Sequence, residues 1–319
     1  EHALANRRCT MNLQQSLHNY LQMRRSLGFK LHSDGIALQS FVLFMAEHQQ
    51  KIITIPWALE WAKNSIKPNP VRWATRLSVV RPFSRYCRTI EPHSEVIPTD
   101  LLPRHYQRPE PYIFSDNDIR RLLQASEQLS INEPFFSHTL YCLFGLLSVT
   151  GLRINEALNL TVDDIDFEEE LLIVHGAKFG KSRLIPLHKT TIEILADYYQ
   201  KRNSFLKGQL LSYWFVNRQK KRLGYDCVKY QFDHLLKSLE IYSQRENHKP
   251  HLQDLRHFFA VSVLVKWYRN NEDVERLLPV LSSYLGHVET RDTYWYLSAC
   301  PELMNSAKDR LEQYWEKRS

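Results

Sequence analysis

The stretch that decides the fold reads Thr150-Gly151-Leu152-Arg153-Ile154-Asn155-Glu156-Ala157-Leu158. Gly151 is suited to end one helix, and Thr150 or a neighbour can cap the next. We therefore expect Arg153 near a helix N-terminus, where backbone N–H groups and the helix dipole favour an anion. The alternative is a surface arginine paired with Glu156 three residues along the helix. Taken singly, the stretch favours that alternative.

A strand–turn–strand pattern follows this stretch. Leu172-Ile173-Val174 and Arg183-Leu184-Ile185-Pro186-Leu187 have the composition of strands, and residues 176–181 between them contain glycine. The pattern predicts an antiparallel hairpin whose turn carries Lys178 and Lys181. A lysine at such a tip is normally only solvated, so the hairpin alone indicates no chemistry.

Two more polar segments lie at predicted helix boundaries. The segment His251-Leu252-Gln253-Asp254-Leu255-Arg256 leads into an apolar helix and again places an arginine near a helix start. Farther along, Gly286 ends a helix in Leu285-Gly286-His287, and a short helix with Tyr294-Trp295-Tyr296 follows. For Tyr294 and Trp295 the sequence favours packing in the core.

A proline-rich linker at residues 103–112 divides the chain, since Pro103, Pro109 and Pro111 disfavour a helix there. Apolar residues at helical spacing predict a four-helix module over residues 11–102. Residues 1–10 are expected to be disordered or to be added upstream sequence. Residues 113–319 predict a mostly helical domain with a small antiparallel sheet. The predicted fold class is therefore mainly α (α+β).

The charge distribution favours a polyanion partner. The formal net charge is +7, and no acidic residue lies between Glu60 and Glu91. Arg72 and Arg76, like Arg81 and Arg85, are four residues apart, so each pair is expected to share a helix face. The alternative is a solvated helix face. The residues predicted to contact DNA, including one from the hairpin, are Lys63, Lys67, Arg72, Arg76, Arg81, Arg85 and Lys181.

Other classes of protein are disfavoured. The five cysteines contain no Cys-x-x-Cys pair, so neither a zinc site nor a disulfide framework is indicated. The longest apolar stretch, residues 139–152, is too short to span a bilayer. The sequence therefore predicts a cytoplasmic, nucleoid-associated bacterial protein with no cofactor, no metal and no membrane partner.

Taken together, the four polar segments resemble the tyrosine recombinase (phage integrase) family. Residues 150–157 match the family's first arginine motif, Asp-Leu-Arg-His at 254–257 matches the second, and Leu-Gly-His at 285–287 matches its histidine motif. The motifs occur in the family's order, and the N-terminal module is similar to its core-binding domain. The phrases at 24–29 and 293–297 resemble recombinases carried by transposons and integrative elements.

The resemblance implies a role for each matching residue. Arg153 and Arg256 would clamp the oxygens of a DNA phosphate, and His287 would hydrogen-bond it. The family's nucleophile lies nine residues after that histidine, which is Tyr296 here, with Tyr294 as the second choice. The implied product is a 3′-phosphotyrosyl link that is religated without metal or ATP.

The hairpin would supply the lysine that protonates the leaving 5′-oxygen. Counting back from Arg183, this role falls on Lys178, with Lys181 as the reserve.

One position departs from the family pattern. Gln253 lies three residues before Arg256, where the family usually has histidine. Glutamine can donate a hydrogen bond to a phosphate but cannot take up a proton, so general-base help is lost or supplied elsewhere. His251 is one stand-in, whereas His257 is expected to pack and hydrogen-bond locally. The glutamine is either natural or engineered to slow the reaction.

The resemblance also implies partners: double-stranded DNA, and a tetramer that exchanges strands through a Holliday junction, with or without partner recombinases. The segment 301–319 has a helical pattern and is predicted to dock on a neighbouring subunit, with packing on its own domain as the alternative. Two other functions stay open. One is a DNA-binding accessory protein weakened by Gln253, and the other is strand relaxation like that of a type IB topoisomerase.

Overall fold

The structure, a computed structural model, describes residues 12–65, 69–102, 111–129, 132–175, 182–242, 249–287, 289–299 and 308. The chain divides into two compact units, Glu1–Arg108 and Pro109–Ser319. Each unit has a hydrophobic core of its own. Within the described ranges, no helix has the length and apolar character needed to cross a membrane.

The first unit consists, in its described part, of four helices. Pro56 lies in the first turn of the third helix, and Pro70 begins the fourth, positions to which proline is suited. The core lies between the helices, where Phe41 packs edge-on against Trp61 with ring centroids 5.2 Å apart. The predicted four-helix module is confirmed. Its helices are α1 (Leu13–Ser26), α2 (His32–Glu47), α3 (Ile55–Lys63) and α4 (Pro70–Ile90).

Arg81 on α4 is part of the core boundary rather than of an exposed face. It is 8% exposed, and its Nε and Nη2 donate to the carbonyl oxygens of Ile97 at 3.0 Å and Pro98 at 2.7 Å. Arg85, four residues later, is exposed. The prediction that Arg81 shares a DNA-facing side with Arg85 is wrong, because the chain after α4 folds back over Arg81 and presents carbonyl groups that need donors.

The second unit is mainly α-helical with one small sheet, and this confirms the predicted fold class. Its described helices are α5 (Asp116–Glu127), α6 (Pro134–Thr150), α7 (Ile154–Asn159), α8 (Lys189–Leu206), α9 (Tyr225–Ser238), α10 (Asp254–Arg269), α11 (Val274–Leu285) and α12 (Arg291–Ala299). The strands are β1 (Ile165–Asp166), β2 (Leu171–Val174) and β3 (Arg183–Pro186).

The sheet is antiparallel with the strand order β1-β2-β3. Strands β2 and β3 form the predicted hairpin, in which Leu172 pairs with Ile185 and Val174 with Arg183. Strand β1 was not predicted, since two residues give no alternating pattern. The pairing places Arg183 at the end of the ladder from which the turn leaves.

Two glycines allow the ends of helices to approach other elements closely. Gly151 ends α6 with φ 62° and Gly286 ends α11 with φ 67°, as their positions in the sequence predict. A Cβ on Gly151 would lie 2.5 Å from Phe259 of α10, and one on Gly286 would lie 2.9 Å from Nη1 of Arg183. The ends of α6 and α11, the start of α10 and strand β3 therefore meet in one place.

Candidate active site

Arg153 is the N-cap residue of α7. Its backbone N–H and its Nη1 both donate to the carboxylate of Glu156, at 2.9 Å and 2.8 Å. Its Nη2 donates to the carbonyl oxygen of Gly286 at 3.0 Å. The ion pair with Glu156, which the sequence predicted for a surface arginine, is present. It also holds the guanidinium of Arg153 against the end of α11.

Arg256 lies in the first turn of α10 and is 1% exposed. Its Nη1 donates to the carbonyl oxygen of Gly151 at 2.8 Å, and its Nη2 donates to that of Leu285 at 2.6 Å. Because Leu285 and Gly286 are adjacent, the guanidinium groups of Arg256 and Arg153 lie side by side at the end of α11.

This pair of arginines has the electrostatics of an anion site. Burial, and then the nearby charge of Arg153, lowers the pKa of Arg256 to about 10. In the part of the chain that the structure describes, the hydrogen bonds of Arg256 end on backbone carbonyls and not on a carboxylate. An entering anion would therefore relieve the repulsion between two partly desolvated cations.

Arg183 fastens the base of the hairpin to the same place. Its Nη1 and Nη2 donate to the two carboxylate oxygens of Glu156 at 3.1 Å and 2.7 Å, and its Nε donates to the carbonyl oxygen of Tyr284 at 2.9 Å. Burial raises the pKa of Glu156, but hydrogen bonds from Arg183 and Arg153 outweigh it and lower that pKa to about 2. The sequence indicated Arg183 only as a reference position for locating the hairpin lysine and did not predict its ion pair with Glu156.

Tyr296 lies on α12 and is 1% exposed. Its hydroxyl oxygen is 3.1 Å from Nδ1 of His257 on α10. The rings of His287 and Tyr296 have centroids 6.2 Å apart and planes inclined by 21°. A phenolate at Tyr296 would raise the pKa of Arg256, so the two side chains lie within electrostatic reach of each other. The structure thus brings Arg153, Arg256, His287 and Tyr296 into one neighbourhood.

Tyr294 and Tyr296 have opposite environments on the same short helix. Tyr294 is 48% exposed, so the prediction that it packs in the core is wrong. Two residues along an α-helix correspond to roughly 200° of rotation, which places the two rings on opposite faces. Trp295 is half-buried against the core formed by α10, α11 and α12, as predicted.

Gln253 and His251 both lie ahead of α10 and are exposed. The backbone N–H of His251 donates to Oδ2 of Asp254 at 2.6 Å. His257 differs from both, because it is 7% exposed and faces α12. It is buried, as predicted, and its Nε2 is 3.8 Å from Oδ1 of Asp254 three residues away, while Nδ1 meets Tyr296, which lies 39 residues away in the chain.

Three lysines for which the sequence predicts a role in DNA binding or catalysis lie outside the described part of the chain: Lys67, Lys178 and Lys181. The segment 301–319 is also outside it apart from Lys308. In the first unit, Lys63 and Arg72 are exposed, like Arg85.

Arg76 has a structural environment instead. Its guanidinium lies 3.9 Å from the centroid of the Trp61 ring, and Nη2 donates to the carbonyl oxygen of Trp61 at 2.9 Å. Burial lowers the pKa of Arg76. The exposed basic face of this unit is therefore narrower than the sequence predicts.

Known proteins are similar to this chain over most of its length. The model of the "Phage integrase family" matches residues 113–302. The protein named "Putative integrase/recombinase y4rB" of Sinorhizobium fredii is 42% identical over 312 residues, which cover 96% of this chain and 98% of that protein. Tyrosine recombinase XerC of Lacticaseibacillus casei is 25% identical over 76% of either chain. The Tn1549 transposon integrase, solved in complex with transposon right end DNA, has the same fold with a TM-score of 0.66 and 16% identity, covering 95% of this chain and 99% of that one.

Proposed function

The chain belongs to the phage integrase family of DNA strand-exchange enzymes, and from this premise we propose that it is a site-specific recombinase that cuts and rejoins DNA through Tyr296. The observation that carries the proposal is the pair of adjacent guanidinium groups, Arg153 and Arg256, close to the phenol of Tyr296. Such a group of residues can bind a phosphodiester and supply an oxygen nucleophile to it.

The two arginines stabilise charge that grows during attack. In the transition state, negative charge builds on the non-bridging oxygens of the phosphate, and planar guanidinium groups match those oxygens in pairs. A guanidinium has five N–H donors. The hydrogen bonds described for Arg256 use two of them, so donors remain for a phosphate that enters beside Gly286.

The proposed reaction is balanced without an external energy source. The Tyr296 hydroxyl loses its proton to a base and its oxygen bonds to phosphorus, the bond from phosphorus to the 5′-oxygen breaks, and Lys178 gives a proton to that 5′-oxygen. The product is a 3′-phosphotyrosyl link and a free 5′-hydroxyl. A 5′-hydroxyl from a second duplex then attacks the link, which frees Tyr296 and completes one strand exchange through a Holliday junction.

The remaining assignments concern DNA binding and assembly. We assign residues 11–102 to a core-binding domain that touches phosphate through Lys63, Lys67, Arg72 and Arg85, and residues 113–319 to the catalytic domain. A DNA substrate places the activity with the bacterial nucleoid. A tetramer on two sites would be joined through the segment 301–319, with or without partner recombinases.

Covalent trapping tests the proposal and identifies the DNA site at the same time. The full-length chain is incubated with nicked duplexes whose interior is randomised, so that the short 5′-hydroxyl strand released by cleavage diffuses away. Duplexes that stay attached to protein after denaturation are recovered and sequenced. We expect recovery of a defined sequence with the wild-type chain, none with Tyr296→Phe, and wild-type recovery with the matched control Tyr294→Phe.

The same experiment separates the rival functions. Sequence-selective binding without an adduct would contradict the proposal and favour an accessory protein. The recovered site then serves in a second assay, in which strands joined between two different duplexes indicate recombination. Relaxed plasmid without joined duplexes would instead favour a relaxing enzyme.

A further inference from the structure

We propose that His257 takes the proton from the hydroxyl of Tyr296 during attack on DNA, the role that Gln253 cannot fill. This inference rests on the proposed function of Tyr296 as the nucleophile. It assigns catalysis to the histidine that ends the Asp-Leu-Arg-His segment at 254–257, a residue to which the resemblance gave no catalytic role.

The geometry is that of a nucleophile beside a buried base. Nδ1 of His257 is 3.1 Å from the hydroxyl oxygen of Tyr296, which is hydrogen-bonding distance. On the other side of the imidazole, Nε2 is 3.8 Å from Oδ1 of Asp254. The order hydroxyl, imidazole, carboxylate is the one by which a histidine activates a nucleophile while an acid orients it.

The other candidates for the base are placed less well. Gln253 has no titrating group, and both it and His251 are exposed ahead of α10. The ring of His287 is nearly parallel to that of Tyr296 with the centroids 6.2 Å apart, and its Nδ1 is 2.7 Å from Oγ1 of Thr293. His257, by contrast, has a ring nitrogen at hydrogen-bonding distance from the phenol oxygen itself.

The proton has a complete path. Neutral His257 accepts it at Nδ1 while Nε2 carries the hydrogen that faces Asp254, so an imidazolium forms next to a carboxylate. The phenolate oxygen bonds to phosphorus, and the 5′-oxygen leaves with a proton from Lys178. When a 5′-hydroxyl attacks in the reverse sense, Lys178 recovers its proton and His257 returns the first one to Tyr296.

The charged and titratable groups described near His257 and Asp254 lie on several segments. Asp254 and Arg256 lie on α10, Tyr296 lies on α12, and His287 lies between α11 and α12. Tyr112, ahead of α5, donates its backbone N–H to Asp254. On α11, Tyr284 stacks on Phe259, and Glu275 and Arg276 are exposed. The titratable residues of α6 face α8 or each other, namely His138, Tyr141 and Cys142.

These surroundings give the pH dependence a sign. Burial raises the pKa of Asp254 to about 6, against two backbone N–H donors that lower it. As the pH falls through that value, Asp254 loses its charge and no longer stabilises the imidazolium. This change slows attack, so the rate of adduct formation should rise with pH through this range.

The test measures the rate of adduct formation against pH, with the duplex that the wild-type chain traps. His257→Asn keeps an acceptor oxygen near the position of Nδ1 but cannot hold a proton. We expect it to lower the rate by about 10²–10⁴-fold and to remove the rise with pH. Adding Gln253→His to His257→Asn should recover rate, because a histidine then stands at the position where the family usually has one. His234→Asn, at an exposed histidine of α9, is the matched control and should leave the rate unchanged.

Each result that differs from this expectation leads to a different conclusion. Wild-type rate and pH profile in His257→Asn would overturn the proposal, and a faster rate would show that His257 restrains Tyr296 instead. If thermal unfolding shows that His257→Asn does not fold, the single variant Gln253→His decides, since that position is exposed. A rise of about 10²-fold or more there would mean that the wild-type site lacks a base. Absence of any adduct with the wild-type chain would instead refute the proposed function itself.

Discussion

Replacing Glu156 with glutamine should cost the second unit about 3 kcal/mol of stability at neutral pH. The carboxylate is only 9% exposed and accepts hydrogen bonds from Arg153 and from Arg183. Its pKa lies at about 2 instead of 4.5. At about 1.4 kcal/mol per pKa unit, this difference gives about 3 kcal/mol. That agrees with the roughly 3–5 kcal/mol expected when one partner of a buried ion pair is removed.

The dependence on pH gives this prediction a second signature. Because the folded pKa of Glu156 lies below its ordinary value, its stabilisation is complete above about pH 4.5 and is lost as the pH falls towards 2. The free energies of unfolding of wild type and Glu156→Gln should therefore converge over that window. Hydrogen exchange of peptides from α6, read by mass spectrometry, measures this quantity for the second unit within the full-length chain.

A matched control separates the buried pair from a surface pair. Glu133 pairs with Arg218 at 2.7 Å, but both side chains are about two-fifths exposed. Glu133→Gln should therefore change the stability by less than about 1 kcal/mol. A Glu156→Gln variant that loses no more than Glu133→Gln, or that keeps a constant offset from wild type between pH 4.5 and 2, would refute the electrostatic reasoning.

Three further variants test other contacts. Arg81→Met leaves the carbonyls of Ile97 and Pro98 without their donor and should lower the stability of the first unit by about 1–3 kcal/mol in chemical unfolding. The control Arg85→Met should change that stability little. It should instead reduce the salt dependence of DNA binding by about one phosphate contact. Arg183→Gln should slow cleavage, because it displaces the hairpin lysine. A 5′-bridging phosphorothiolate substrate, whose sulfur leaves without a proton, should restore the rate. If this substrate does not restore the rate, the positioning role of Arg183 is contradicted. Gly286→Ala should slow cleavage, because the added Cβ would press against Arg183. The control Gly208→Ala, at φ 84° with open space around it, should show only backbone strain of about 1–2 kcal/mol in thermal unfolding. Equal cleavage activities of the two variants would contradict the close approach of Gly286 to Arg183.

Local signals predicted the elements of the fold well. The Ser115 side chain and Asp118 form a capping box at the start of α5, and such a serine with an acidic residue three positions later is a local signal for the start of a helix. Gly151 and Gly286 end helices as predicted, because each takes a left-handed conformation that other residues adopt at a cost. Such features depend on a few neighbouring residues and can therefore be read from the chain alone.

Contacts between residues that are distant in the chain could not be predicted from the sequence. Arg81 is buried by carbonyls 16 and 17 residues later in the chain, and its basic side chain looks like its exposed neighbours in sequence. Arg183 meets Glu156 across 27 residues, and His257 meets Tyr296 across 39. Each depends on how whole elements pack, which a helical or alternating pattern does not specify.

The central claim is that Tyr296 becomes covalently joined to DNA. The most direct measurement is mass spectrometry of the protein after covalent trapping and nuclease digestion, with fragmentation of the peptide that contains both Tyr294 and Tyr296. A nucleotide attached to Tyr296 through phosphate, absent from Tyr296→Phe, is the predicted result. A nucleotide on Tyr294, or an adduct that survives in Tyr296→Phe, would contradict it.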